Sequence, residues 1–561
     1  MKGFKKGICL GLSTLMLAST GMLAGCGGGG GTSSSGGANG TGGVNGEQEI
    51  QVYCINKGYG TQWCSDLLDL FAQQQWVKDK YPELKILETY NDVDSFASDR
   101  INSPSNNTYD LFFSKNLNDF AGKDNAGNET LVDLTTLLYE QTVPGESVKY
   151  KDKLLQSYKD TAVYRAPNDP EAEDQYYTTF WAGGMNSIIC NPDILAKYGI
   201  TTINTTDELG AACAAIKATP TNSGNDGGYS FLRAGNTGYW SYLFYAWWAQ
   251  YDGIQNYINF YNGIFMDGDY PVYSNRIFEL EGRLKSLEIY EQLLDYDKGY
   301  LSPKSFTEEN FMMCQMDMYE GEYAFMVNGD WFDDEMRELV QLMKDAGETP
   351  ARLEMMKLPI VSSIIEKCEK VENDAELSAL ISAIDAGNTA LKGEGYDVSQ
   401  ADYDRIKEAR TVVHSIDPNH MAAIPSVSKS KEVAIDFLLF MATDIAQEQY
   451  IRTTTGASLP FRYNLKEKNE TLYNEISPLQ QARMDYFCNE AYEVYSLPIT
   501  TYFPLVKYGE LSAIANVERF DNIFAAQGNQ TTAKDLFDIT TSVWTVEAFE
   551  FALDRAGLKF Y

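Results

Sequence analysis

The sequence predicts an α/β fold, and three observations carry that expectation. Ile50, Val52 and Cys54 alternate over 49–55, and Leu67, Leu68, Phe71 and Val77 follow at helical spacing. Apolar runs then return at 84–87 and 109–113, and strand–helix–strand order of this kind implies parallel pairing under packed helices. Further along, capped amphipathic helices alternate with short apolar segments at 323–327 and 421–425, which read as strands.

The elements follow in order. Lys2, Lys5 and Lys6 precede an apolar run from Ile8 to Leu17, too short to span a bilayer. Leu23, Ala24 and Gly25 then lead into Cys26, and 27–46 is almost wholly Gly, Ser, Thr, Ala and Asn. This resembles the lipobox of bacterial lipoproteins. The resemblance implies that 1–25 is a signal peptide, that Cys26 is the lipid attachment site, and that 26–46 is a linker with a reach of ~25 Å. Order is expected from about Glu47. If 49–55, 84–87 and 109–113 are parallel strands, their carboxyl ends bring Tyr59, Trp63, Asn91, Asp92, Ser114 and Lys115 to one rim, where open α/β sheets bind ligands.

Asn191 is placed to cap a helix with Pro192 in its first turn and Gly199 closing it. Thr205 and Glu208 form a capping box that opens the next helix, through Ile216. Aromatics crowd 239–248, and Ile277, Leu280, Leu284, Leu287 and Leu294 line one helical stripe. The strand at 323–327 ends at Asn328-Gly329-Asp330-Trp331. Segment 361–418 has the look of an insertion, and a long helix is expected from 431 to 451.

Composition excludes several classes. A net charge of −34 leaves no basic footprint for nucleic acid or anionic lipid. Beyond Cys9 and Cys26 seven cysteines remain, with no CxxC, so a complete disulfide framework within the chain is impossible. Whether Cys54 pairs with Cys64 stays open. The two histidines, His414 and His420, stand six apart without an HExxH motif, which disfavours zinc and serine hydrolases. No P-loop is present, and Asp267-Gly268-Asp269 lacks the later ligands of a calcium loop. No cofactor or metal is expected. A glycoside hydrolase needs only two carboxylates, so 79 acidic residues leave that alternative standing.

Several landmarks, in this order, resemble the extracellular solute-binding proteins of carbohydrate ABC transporters. They are 180–199 with 205–217, Gly299-Tyr300-Leu301, 319–326 running into Gly329-Asp330-Trp331, and 434–460. The resemblance implies a two-lobed, periplasmic-binding-protein-like fold with a ligand cleft between lobes joined by hinge crossings. Carried over, lobe 1 is 47–181 and 331–458, with insertion 361–418, and lobe 2 is 182–330 and 459–561. It implies a receptor, not an enzyme, on the outer face of the cytoplasmic membrane of a Gram-positive-like bacterium. Its expected partners are an oligosaccharide and permease subunits, and it is expected to be a monomer. The alternatives are a surface glycoside hydrolase, a sensing or adhesive lipoprotein, and a receptor for a non-sugar solute.

Sugar rings offer apolar faces and a rim of hydroxyls, so flat aromatics and edge-on polar groups suit them. The candidate stacking residues are Trp331, Trp181, Trp240, Trp63 and Tyr59. Asp330, Asp92, Arg233 and Ser114 are the candidate hydroxyl partners. Trp247 and Trp248 are adjacent and are expected in the core.

Overall fold

The computed structural model describes residues 48–123, 127–165, 173–218, 228–233, 238–307, 310–415, 417–487, 491–498, 503–507 and 520–558. The expected leader and linker, Cys26 and Cys488 lie outside these residues.

Strand β1 (Glu49–Ile55) pairs in parallel with β2 (Lys85–Asn91) and with β3 (Leu111–Lys115), as strand–helix–strand order requires. Ile50 lies opposite Ile86, and Val52 opposite Leu111. The third strand begins two residues later than its apolar run suggests, because Asp110 is spent on turn chemistry. One carboxylate oxygen accepts from Gln51 N at 3.0 Å, and the other accepts from Ser428 Oγ at 2.8 Å and Lys429 N at 2.9 Å. Helix Gln62–Gln73 buries Trp63, Cys64, Leu67, Leu68 and Phe71 as one stripe, which packs on helix Asp444–Thr453. Fully burying each such side chain contributes ~1.5–3 kcal/mol.

Strand β4 (Thr179–Phe180) closes the first sheet through an antiparallel partner, β8 (His420–Ala423), giving the order β2-β1-β3-β8-β4. From Phe180 the chain passes through 181–185 into a second, antiparallel sheet. There β5 (Asn186–Cys190) lies between β6 (Phe325–Gly329) and β7 (Glu354–Met355). A second crossing runs from His414, whose carbonyl accepts from Asn186 N at 3.0 Å, to His420 in the first sheet. The third crossing packs against the first, where Gly183 N donates to Ser458 O at 2.8 Å. A Cβ on Gly183 would lie 2.6 Å from the Pro460 Cα, so the two segments touch only because that residue has no side chain.

Two expectations need correction. The chain does not return to the first sheet after Trp331. Strand β7 belongs to the second sheet and pairs Met355 with Ile189, so the return comes at 414–420. Three residues of periodicity cannot reveal which sheet a two-residue strand joins. The helix expected over 431–451 is two, Lys431–Met441 and Asp444–Thr453, because the Thr443 side chain caps the second by accepting from Ala446 N.

The caps read from sequence are present. Asn191 Oδ1 accepts from Asp193 N and Ile194 N, each at 3.1 Å, and Thr205 Oγ1 accepts from Glu208 N at 3.2 Å. Segment 361–418 contributes helices Asp374–Asp385 and Gln400–Thr411, and the second packs on the aromatic helix Trp240–Asp252. Cys54 and Cys64 lie side by side as buried free thiols, so they do not pair covalently. No helix among the described residues is long and apolar enough to cross a membrane.

Candidate functional site

The aromatic segment 239–248 sorts itself by helical period. Helix Trp240–Asp252 turns Trp240, Leu243, Phe244, Trp247 and Trp248 inward, all 2 % exposed or less. Tyr239, Tyr242 and Tyr245, three residues apart, share the opposite face and stay half-buried. Their rings join a continuous row. Trp331 and Tyr239 stand 5.9 Å apart at 62°, and Tyr239 and Tyr242 stack at 6.2 Å. His414 then slots between Tyr242 and Tyr245, near-parallel to both, at 5.3 and 5.0 Å. The crossing that carries His414 thus completes a row begun on the helix.

The end of the row at Trp331 is locally determined. Trp331 follows β6, and its ring lies on the backbone of Gly329, where a Cβ would come within 2.4 Å of the indole. On its other side Trp331 meets Gly58, in the loop after β1, so it touches both sheets' elements. His414 is buried with Nδ1 lacking a partner among the described residues, and desolvation alone takes its pKa down to about 3. It is therefore a neutral, flat ring at physiological pH. Beside Trp331, Glu335 sits one helical turn along and accepts from Gln315 Nε2 at 2.9 Å. Burial, with Asp334 adding to it, pushes Glu335 up to about 7. Burial likewise pushes Tyr239 up to about 12, opposed by a hydrogen bond with Trp331.

Behind this row lies an interior seam between the two sheets. Tyr59 Oη donates to Asp330 Oδ1 at 2.9 Å, joining the loop after β1 to the end of β6. Arg483, fully buried, lies 3.7 Å from Asp330 Oδ2 and donates to Gly456 O and Ser458 Oγ at 2.9 and 3.1 Å. It ties the end of β6 to the third crossing. Trp63 and Trp181 stack at 5.2 Å, and Trp181 also packs on His420 at 4.5 Å.

The sequence-derived candidates therefore separate. Trp331 and Asp330, themselves buried, lie at the junction of row and seam. Tyr59, Trp63, Trp181 and Ser114 are buried in the seam, where Trp181 Nε1 donates to Ser114 O at 2.9 Å. These rings face one another, not an opening. Trp240 packs on Phe231 and Tyr290 in the core of the second sheet's helices, which corrects its assignment to a cleft. Arg233 is committed to Asp521 and Asn522 in a buried ion pair, so its guanidinium holds the C-terminal part to the body. Asp92 is exposed, and its backbone carbonyl accepts from Lys57 Nζ at 3.0 Å. Sequence reasoning passed over Tyr239, Tyr242, Tyr245, His414 and Glu335. A period count over 239–248 would have found the three tyrosines, whereas nothing local marks the other two.

The rings cover one another's faces, so the row presents a strip of ring edges at Tyr239, Tyr242 and Tyr245, and His414 has no carboxylate beside it to make it a base. Among the described residues, Asp317, Glu320 and Glu322 alone bring three carboxylates together, and Lys304 already pairs with Asp317 there. A cavity of about 580 Å³ lies elsewhere, lined by Lys153, Phe461, Arg462 and Tyr492.

A family model described as bacterial extracellular solute-binding protein matches residues 76–363. No curated protein matches the chain. Among solved structures, the sugar-binding protein MalE from Xanthomonas citri is 15% identical at a TM-score of 0.54, covering 90% of this chain and 98% of its own. A structure from work on xylan utilization by Caldanaerobius polysaccharolyticus is 13% identical at 0.52, covering 89% and 100%. An ABC substrate-binding protein from Listeria monocytogenes in complex with cycloalternan is 12% identical at 0.50, covering 91% and 99%. At these identities the likeness is one of fold.

Proposed function

The chain belongs to the bacterial extracellular solute-binding proteins, and from that premise we propose that it captures an oligosaccharide and delivers it to the permease of an ABC importer. The row Trp331–Tyr239–Tyr242–His414–Tyr245 carries this reading. Rings in succession at 5.0 to 6.2 Å make a continuous apolar strip, half-buried at its three tyrosines, against which the apolar faces of a chain of pyranoses can lie. Micromolar binding needs only ~8 kcal/mol, within reach of several stacked rings and a few satisfied hydrogen bonds. The names of the structural relatives, sugar-binding protein and cycloalternan complex among them, support the same ligand class.

In this reading one lobe carries the five-stranded sheet and the other the three-stranded sheet, with hinges at 181–185, 414–420 and 454–460. The Tyr59–Asp330 bond and the Trp331–Gly58 contact join the lobes in the closed state. A ligand shifts the equilibrium toward closure only by binding that state more tightly, and a glycan on the row, reaching Trp331, does so. Cys26 anchors the protein outside the cell through lipid, and the permease reads the closed form. Calorimetry against linear glycans of increasing length tests this. We expect saturable binding that strengthens with each added sugar until the row is filled, with no shorter products released. Release of shorter sugars would identify a glycosidase instead, and no binding by any glycan would overturn the assignment.

A further inference from the structure

The end of the row at Trp331 is chemically unlike the rest. Trp331 and Glu335 stand one turn apart at the start of helix Phe332–Asp345, and Tyr239 faces both, its ring 5.9 Å from Trp331. Tyr239, half-buried, thus lies close to the half-buried Glu335 carboxyl and meets at 62° the ring of Trp331, which is 4 % exposed. The charges around it are uneven. Asp330 lies 3.7 Å from Arg483, and Asp334 pairs with Arg337. Asp333 is held by the hydroxyls of Tyr319 and Ser477. Glu335 has a neutral amide, Gln315, as its partner and no ion pair among the described residues. That amide is fully buried, and its carbonyl oxygen has no partner among the described residues. Four acids within six residues therefore face two guanidinium groups, and the deficit falls on Asp333, which is buried and held by two hydroxyls, and on the half-buried Glu335. A carboxylate short of a cation, beside two aromatic rings, has the complement of an ammonium group.

We propose that the corner formed by Trp331, Tyr239 and Glu335 receives a protonated amine of the ligand, so that the protein selects an aminated saccharide over its neutral counterparts. The inference rests on the row being the glycan site. The amine sits against the half-buried Tyr239 ring and the exposed edge of Trp331 while Glu335 accepts its hydrogen bond, and the remaining sugars run along Tyr242, His414 and Tyr245. The overall charge of −34 adds attraction for a cationic ligand at low ionic strength.

Calorimetry with glucosamine tetrasaccharide, its fully N-acetylated form and a glucose tetrasaccharide of the same linkage, each at pH 7, where Glu335 is near its titration midpoint and a bound ammonium favours the ionised form, tests the proposal on the intact folded protein. We expect at least tenfold tighter binding of the amine form. In Glu335→Gln that preference should collapse to near unity while affinity for the neutral tetrasaccharides is unchanged, and Glu335→Asp should restore part of it. Equal or tighter binding of the neutral forms by wild type would overturn the amine site while leaving the row intact as a glycan site. A preference retained in Glu335→Gln would do the same. If none of the three sugars binds, the row itself is not the site and both readings fall.

Discussion

Replacing His414 with phenylalanine isolates one term in the protein's acid stability. The imidazole lies between Tyr242 and Tyr245, 7 % exposed, and burial lowers its pKa from an ordinary value near 6.5 to about 3. A depressed histidine contributes stability that is fully present above the unfolded pKa and is lost as pH falls toward the folded one. At pH 5 the unfolded chain has taken up its proton and the folded chain has not. The loss is then about 1.5 units at 1.36 kcal/mol each, or about 2 kcal/mol. Phenylalanine keeps the stacking, removes the unpartnered Nδ1, and cannot titrate. All carboxylates titrate alike in both proteins, so the difference between them reports His414 alone. Thermal melts of wild type and His414→Phe at pH 7.5 and pH 5 are the assay. With ~2 cal/mol/K per residue of unfolding entropy, a chain of 561 residues shifts by about 2 °C for 2 kcal/mol. The Tm gap should therefore move by about 2 °C in favour of the variant on going to pH 5. An unchanged gap, or one that moves toward wild type, would refute the burial of a neutral imidazole in the row.

Tyr242→Ala should weaken glycan binding about tenfold with little change in Tm, read by calorimetry and melting, because a half-buried ring is lost from a stacking row. Trp240→Ala, one face of the same helix away, should do the reverse, destabilising by ~3–5 kcal/mol through a core cavity. Arg410→Ala should also destabilise by ~3–5 kcal/mol in urea unfolding. It strips a half-buried Asp385 of contacts at 2.7 and 3.0 Å, leaving Lys357 at 3.1 Å as its remaining cation. Cys26→Ala should release the protein from the membrane fraction into the medium, as fractionation and immunoblotting would show.

Much of the architecture was legible because it is written in short-range chemistry. Alternation marked β1, and Asn191 and Thr205 declared their helices, since a cap needs only the donors two or three residues on. The site was less legible. Trp240 was singled out over Tyr239 and Tyr242 by its place just after the Gly-rich segment 227–238. Helical phase, not residue type, decides which of them faces outward. Trp63 was placed at a rim by the end of the strand that precedes it, and Trp181 at a crossing between lobes. They instead find each other across 118 positions of chain and stack in the seam, a contact that no local pattern announces.

By itself the sequence determined that this chain builds parallel strands under capped helices, and that it belongs among two-lobed receptors. The first follows from periodicity and caps, each settled within a dozen residues, and the second from the family resemblance of landmarks spread over 180–460. Only the tertiary structure decided that His414 completes a row begun at Tyr239, that β7 joins the second sheet, and that Arg233 is consumed by Asp521. Each depends on which distant segment arrives to bury a ring, pair a strand edge or neutralise a charge. That choice is made by the packing of the whole chain.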